Sequence, residues 1–263
     1  MCVQKMQIAG FTCNLFLPRD YEKSDRHYPV IYINGDVQTE EIADEIRKAG
    51  SETAFLLLSI RPDNWNDDFT PWSAPAFRKG EEAPKGLADI YLARVVKEIK
   101  PYIDANYRTK PEPEYTAMFG YSLGGLTAVY SIYRTDVFGA AGSLSGSLWY
   151  DGFCAFMEKE RPVRQGMKVY LSLGKKESAS RNPRMCRVAE CTERAKNTLA
   201  EQLRLSECHC GTAAEQTDRT DCADSARENP EDICFEWNEG GHFHEIPKRF
   251  ARAVLWWQSH MPV

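Results

Sequence analysis

The sequence predicts an α/β fold: a mostly parallel central sheet with an antiparallel N-terminal edge and helices on both faces. Three observations predict it. Short apolar runs that read as buried strands alternate with stretches of helical periodicity. A long helical stripe over residues 87–106 (Leu87, Ile90, Tyr91, Val95, Ile99, Tyr102 and Ile103) lies between two strands, as a parallel crossover requires. The candidate reactive residues Ser122, Glu177 and His242 each fall just after a strand, where open parallel sheets place their ligands.

The elements follow in order. Residues 5–8 and 12–17, joined at Gly10, read as an antiparallel pair, and 19–27 as a polar loop. Pro29 opens a buried strand over 30–33 that ends in Asn34-Gly35-Asp36. A helix is predicted over 39–50, with Ile42 and Ile46 four apart and Gly50 as its stop. Residues 54–60 are another buried strand. The loop over 61–77 carries two tryptophans, which loops seldom do. It is either folded back on the core or a substrate rim, with Arg61, Trp65 and Trp72 as contacts. After the helix over 87–106 and the KPEPE break come a strand at 115–119, a helix from Leu126, a strand at 138–144, a loop holding Trp149, and a strand at 167–173. Within the polar, Cys-containing stretch 178–232, residues 188–205 are expected to be helical and 207–230 irregular. A strand at 233–237 and an amphipathic helix at 246–258 close the chain. The reading is one domain over 1–263, with a Cys-rich insertion at about 178–232 that stands outside the main pattern.

Composition narrows the partners. With 263 residues, 43% hydrophobic and 27% charged, the chain can bury a sizeable core. Its net charge of −5 and its lack of a basic block argue against nucleic acid and anionic membranes. No run of 18 apolar residues occurs, and the N-terminus has no secretory pattern, so a cytoplasmic location is expected. The partner is a small-molecule ester substrate; association with further copies of the chain is left open. The nine cysteines are expected to be reduced thiols. Cys208, His209, Cys210 and Cys222, with Cys186 and Cys191 upstream, were tested as a zinc site, but their spacings lack the paired C-x-x-C pattern. Neither metal nor cofactor is expected.

The chemistry centres on Tyr115 to Tyr130, YTAMFGYSLGGLTAVY. Strand, G-x-S-x-G and helix in immediate succession are the context of a nucleophile elbow, with Ser122 at its apex. Gly120 and Gly124 flank it because strand and helix leave no room there for a Cβ. A serine hydroxyl needs a base, and of five histidines only His242 follows a late strand inside a Gly-Gly loop, with His244 as its competitor two residues on. Glu177, three residues past Leu173, completes the order Ser…Glu…His; a solvated Glu beside Lys175 and Lys176 is the alternative. The oxyanion donors are the amide of Leu123 and, from the Gly35 loop, that of Asp36 or Val37.

These residues carry a resemblance. YPVIYINGD, DDFTPW, IKPYIDANYRT, FGYSLGGLTAVY, SGSLWY, LGKKES and GGHF together resemble the putative-esterase family of α/β-hydrolases. That family holds S-formylglutathione hydrolases, feruloyl and acetyl xylan esterases, mycolyltransferases and enterochelin-type siderophore esterases. DDFTPW and SGSLWY look most like the siderophore-esterase branch. The resemblance implies an α/β-hydrolase fold and a serine esterase working through an acyl-enzyme, with Ser122 as nucleophile, His242 as base and Glu177 at the acid position. It also implies a cyclic catecholate trilactone or an aromatic acyl ester as substrate, with Arg61, Trp65, Trp72 and Trp149 as contacts. Some siderophore esterases work with a Ser–His pair, and Asn34 stands where the family often has Asp or His. An acyltransferase using the same acyl-enzyme, and a non-catalytic binding protein on the hydrolase scaffold, are the alternatives.

Overall fold

The computed structural model describes residues 2–52, 54–207 and 232–262. Eight strands form one sheet in the order β1-β2-β4-β3-β5-β6-β7-β8. The antiparallel edge is β1 (Cys2–Ile8) and β2 (Phe11–Leu17), turned at Ala9-Gly10, where both residues take positive φ. β2 also runs antiparallel to β4 (Leu56–Arg61). From there the sheet is parallel: β4 pairs β3 (Val30–Asn34), then come β5 (Thr116–Tyr121), β6 (Ala140–Leu144), β7 (Lys168–Gly174) and β8 (Ile233–Asn238). Continuous apolar runs such as VIYIN are needed because both faces of these strands are covered.

Two cores lie on the two faces. On one, α1 (Thr39–Lys48) and α8 (Ile246–Ser259) set Ile42, Ile46, Phe250, Val254 and Trp257 against Ile31, Ile33, Phe119 and Tyr170. The other face holds the helical segment from Ala88 to Asn106, α5 (Leu123–Ser131), α6 (Phe153–Lys159) and α7 (Val188–Glu207). The predicted 87–106 helix is there, but it is α-helical as α3 (Ala88–Arg94), widens to a π turn over Val95–Ile99, and resumes as α4 (Lys100–Asn106). Pro101, which has no N–H to donate, enters at the start of α4, where the ladder has just been rewound. A further short helix, α2 (Trp65–Asp68), lies inside the tryptophan loop and is capped by Asn64, whose side chain accepts from the amides of Asn66 and Asp67.

The segment at 178–232 requires a correction. Its first part is not an excursion. α7 is the crossover between β7 and β8, and it buries Val188, Cys191, Ala195, Leu199 and Leu203 at helical spacing. Gln202, also buried, donates to the carbonyls of Met157 (2.6 Å) and Glu160 (2.8 Å) and accepts from Tyr133. The stripe is made largely of small residues, so it lacks the bulk that marks a core helix in a sequence. Cys208, His209, Cys210 and Cys222 lie outside the described residues. Cys13, Cys154, Cys186, Cys191 and Cys234 are free thiols. Among the described residues no helix is long and apolar enough to cross a membrane.

Candidate active site

Ser122 stands at the apex between β5 and α5 with φ 56° and ψ −121°, a backbone conformation that a non-glycine residue holds only under constraint. The constraint is visible on both sides. A Cβ on Gly120 would lie 2.2 Å from the Gly124 carbonyl oxygen, and one on Gly124 would lie 2.5 Å from the Asn34 carbonyl oxygen. Asn34 bolts the neighbouring strand to the turn: its amide donates to the Gly124 carbonyl (3.0 Å), and its oxygen accepts from Tyr91 (2.9 Å). The Ser122 amide donates to Leu144, and its carbonyl accepts from Ser147. The Ser147 hydroxyl lies 3.5 Å from the Ser122 hydroxyl.

Glu177 and His242 meet. The carboxylate leaves β7 in a short 3-10 turn (Glu177–Ala179) and is buried; its Oε2 lies 2.8 Å from Nδ1 of His242. The other oxygen, Oε1, accepts from Ser145 (2.6 Å), from the Gly174 amide (2.7 Å) and from Arg249 (3.1 Å). Burial alone would push this carboxyl up. The hydrogen bonds from His242, Ser145 and Gly174 outweigh it and hold Glu177 below the usual carboxylate range. An ionised carboxylate only accepts, so Nδ1 of His242 carries the hydrogen of this contact. The imidazole is flanked by Tyr121 (5.1 Å) and Phe243 (4.9 Å). Burial pushes the Tyr121 phenol up to about 12, so it stays neutral beside the site. His244 instead sits 3.7 Å from Glu245, exposed to solvent.

Two cavities open at Ser122. One, of about 280 Å³, is lined by Ser122, Glu177, His242, Trp149, Val188 and Phe243, among others. The second, of about 250 Å³, is lined by Ser122, Leu123, Trp65, Phe77, Asn66 and Glu81, among others. Arg78, Ser147, Trp149 and Met185 face both. Phe243 is 83% exposed at the mouth. In the loop after β3, Gly35 takes φ 120° and the edge of Trp65 lies over it. Of the two amides considered there, that of Val37 is already engaged by the Ser59 hydroxyl (3.1 Å).

The sequence candidates therefore divide. Ser122, Glu177, His242, Leu123, Trp65 and Trp149 converge on these cavities; Arg61 and Trp72 are not among their lining residues. Arg61 ends β4, exposed and in register with Thr12. Trp72 turns inward against Tyr130, Tyr150, Phe153 and Phe156, and its Nε1 donates to the Asp151 carbonyl (2.8 Å). Within one loop, then, Trp65 lines a cavity and Trp72 packs into the core. The cation at the cavity is Arg78, in a polar stretch that gave no signal. Ser145, Ser147 and Arg249 were also missed. Ser145 and Ser147 lie within SGSLWY, where Trp149 alone carries a predicted role. Arg249 had a legible signal: a charged residue at a position belonging to the apolar stripe of α8.

Known proteins agree with this architecture. Residues 9–214 match the model of the family described as "Putative esterase", and the chain belongs to that family of ester hydrolases. The match runs through the whole of α7, the segment that the sequence alone set apart. The chain is 25% identical over 193 residues to the uncharacterized protein YbbA of Bacillus subtilis, covering 72% of this chain and 77% of that one. Among solved structures it is similar to an IroE-like serine hydrolase from Shewanella oneidensis, with a TM-score of 0.72 at 16% identity over 97% of this chain and 79% of that one. It is similar also to the siderophore hydrolase EstA from Aspergillus nidulans, with a TM-score of 0.68 at 16% identity over 99% and 95%. At these identities the structural likeness speaks to the α/β-hydrolase fold.

Proposed function

We propose that this chain is a serine esterase that cleaves carboxylic esters through an acyl-enzyme on Ser122. The observation that carries the reading is one cavity lined by a strained elbow serine and by a histidine whose Nδ1 sits 2.8 Å from a buried carboxylate. In the first half-reaction Ser122 Oγ attacks the ester carbonyl carbon while His242 Nε2 takes its proton. The resulting oxyanion is held by the amides of Leu123 and Asp36. Collapse breaks the bond to the alkoxy oxygen, which leaves with the proton from His242. In the second, His242 takes a proton from water as it attacks the acyl-enzyme, and collapse frees the carboxylic acid and restores Ser122.

The substrate class follows from the walls. Trp149, Phe243, Trp65 and Phe77 give flat apolar surface around Ser122, and Arg78 supplies a cation reachable from either side. This suits an ester with an aromatic, acidic or phenolic group, such as a catecholate trilactone or a feruloyl-type ester; the siderophore hydrolase among the structural relatives supports the former. The test is a panel of trilactone, aromatic-acyl, acyl-sugar and short-chain esters assayed with wild type and Ser122→Ala, with fluorophosphonate labelling of both. Turnover and labelling by wild type, and neither by Ser122→Ala, are expected; turnover undiminished in the variant refutes the proposal. Retention of acyl product on an added alcohol instead of water would assign acyl transfer.

A further inference from the structure

Arg249 is a buried charge that the proposed mechanism leaves unused. It projects from α8 with 1% of its surface exposed. Its Nη1 donates to Ser145 Oγ and to Glu177 Oε1 (3.1 Å). Its Nη2 donates to the carbonyls of Glu239 (3.2 Å) and Gly241 (3.0 Å), in the loop that carries His242. One planar guanidinium thus touches the end of β6 through Ser145, the acid after β7, and the base loop after β8. Ser145 is itself held at φ 47° and gives its own hydrogen to Glu177 Oε1. Gly174 leaves the space for this: a Cβ there would lie 2.8 Å from Glu177 Oε1 and 2.9 Å from Arg249 Nη2.

We infer that Arg249, with Ser145 as its bridge, is a positioning residue that sets the Glu177 carboxylate against His242 by gripping one carboxylate oxygen and the histidine loop together. With Oε1 occupied, only Oε2 is left for the imidazole, so the carboxylate cannot rotate away. Geometry argues for arginine: a lysine ammonium is a single point and cannot bridge acid, serine and two carbonyls from one plane. The role rests on the proposed Ser122 chemistry.

Around Glu177 the charged or titratable groups are Arg249 from α8, His242 from the loop after β8 and Tyr121 from β5. The Lys175–Glu239 pair lies outside, in solvent. Removal of the Arg249 charge, which lies 3.1 Å from Glu177 Oε1, therefore favours a proton on Glu177 and moves the acid limb of the pH–rate profile upward.

The experiment is steady-state kinetics over pH for Arg249→Lys, Arg249→Met and Ser145→Ala, with circular dichroism of each and with Arg249→Lys repeated in a Glu177→Gln background. Arg249→Lys is expected to lose ~100-fold in kcat with KM little changed, the cost of a slightly misplaced catalytic group. Arg249→Met is expected to shift the acid limb to higher pH. If it does not fold, the two milder variants carry the test. The loss in Arg249→Lys should be much smaller once Glu177 is already Gln, because the two act through one contact. Equal losses in both backgrounds, or wild-type kcat in Arg249→Lys, overturn the inference. Ser122→Ala separates the two questions: if it keeps activity, the esterase reading fails; if it is inactive while Arg249→Lys is unimpaired, only the positioning role fails.

Discussion

The two sides of the candidate site are built differently. On the sheet side, Ser122, Ser145, Glu177 and the His242 loop issue from the ends of four adjacent strands, β5 to β8, and are fixed by backbone contacts and buried polar groups. On the outer side, Trp65 from the short helix α2 and Phe77, Arg78 and Phe243 from turns and loops are partly or largely open to solvent. The inner side has no slack; a methyl group on Gly120 or Gly124 would strike backbone. The outer side is more open. The contrast teaches a division of labour under the proposed function: groups that would move protons are held by strand ends, and groups that would meet the substrate sit on side chains that can change without disturbing the strands.

That contrast can be broken by substitution. The largest effect is expected at Ser122: Ser122→Ala should lower kcat by about 10⁴-fold or more while melting like the parent, checked by ester turnover and thermal denaturation. Next is Glu177→Gln, expected to cost about 10²–10⁴ in kcat through the wrong histidine tautomer. The same variant tests linkage. The folded-state carboxyl lies below its ordinary value, so it stabilises the fold at pH above the unfolded value, and that contribution is lost as pH falls through the folded one. Glu177→Gln should flatten the acid side of a stability-versus-pH curve; an unchanged slope would count against the buried ionised carboxylate.

Trp72 and Arg78 then separate anchor from selector. Trp72→Ala should cost about 3–5 kcal/mol in urea unfolding, because it empties an aromatic cluster. Arg78→Ala should leave stability alone and raise KM roughly tenfold for an ester bearing a negative group, with little change for a neutral one. The smallest effect is expected at Arg61, at the exposed end of β4: Arg61→Ala should change kcat/KM by less than about twofold. A larger loss there would move the substrate rim toward the sheet edge.

Much of the inner side was legible in the sequence, since it is written in local chemistry. Gly120-Tyr121-Ser122-Leu123-Gly124 announces a tight turn, and Gly240-Gly241-His242 announces a histidine on a close-packed loop after a strand. The strands were legible because burial on both faces demands unbroken apolar runs. The outer side was not, because which face of a loop residue meets a cavity depends on contacts far away in the chain. Trp65 and Trp72, seven residues apart, looked alike; a cap at Asn64 turned one over the Gly35 loop, and the Asp151 carbonyl drew the other inward. Arg61 and Arg78 stand at the two ends of the tryptophan loop, yet only the fold shows which of them meets the cavity. α7 was underestimated for a related reason: a stripe of Val, Cys, Ala and Leu carries less apparent hydrophobicity than the area it covers.

The position of Arg249 has a consequence for how the molecule comes into being. Across the sheet, β5, β6, β7 and β8 lie side by side in the order in which they are synthesised. The proposed nucleophile, bridge, acid and base are therefore laid down in sequence, and the guanidinium that touches the last three follows all of them, on α8. A domain folds as a unit, so the proposed constellation is complete only once α8 has docked over its apolar cluster and brought the clamp into register.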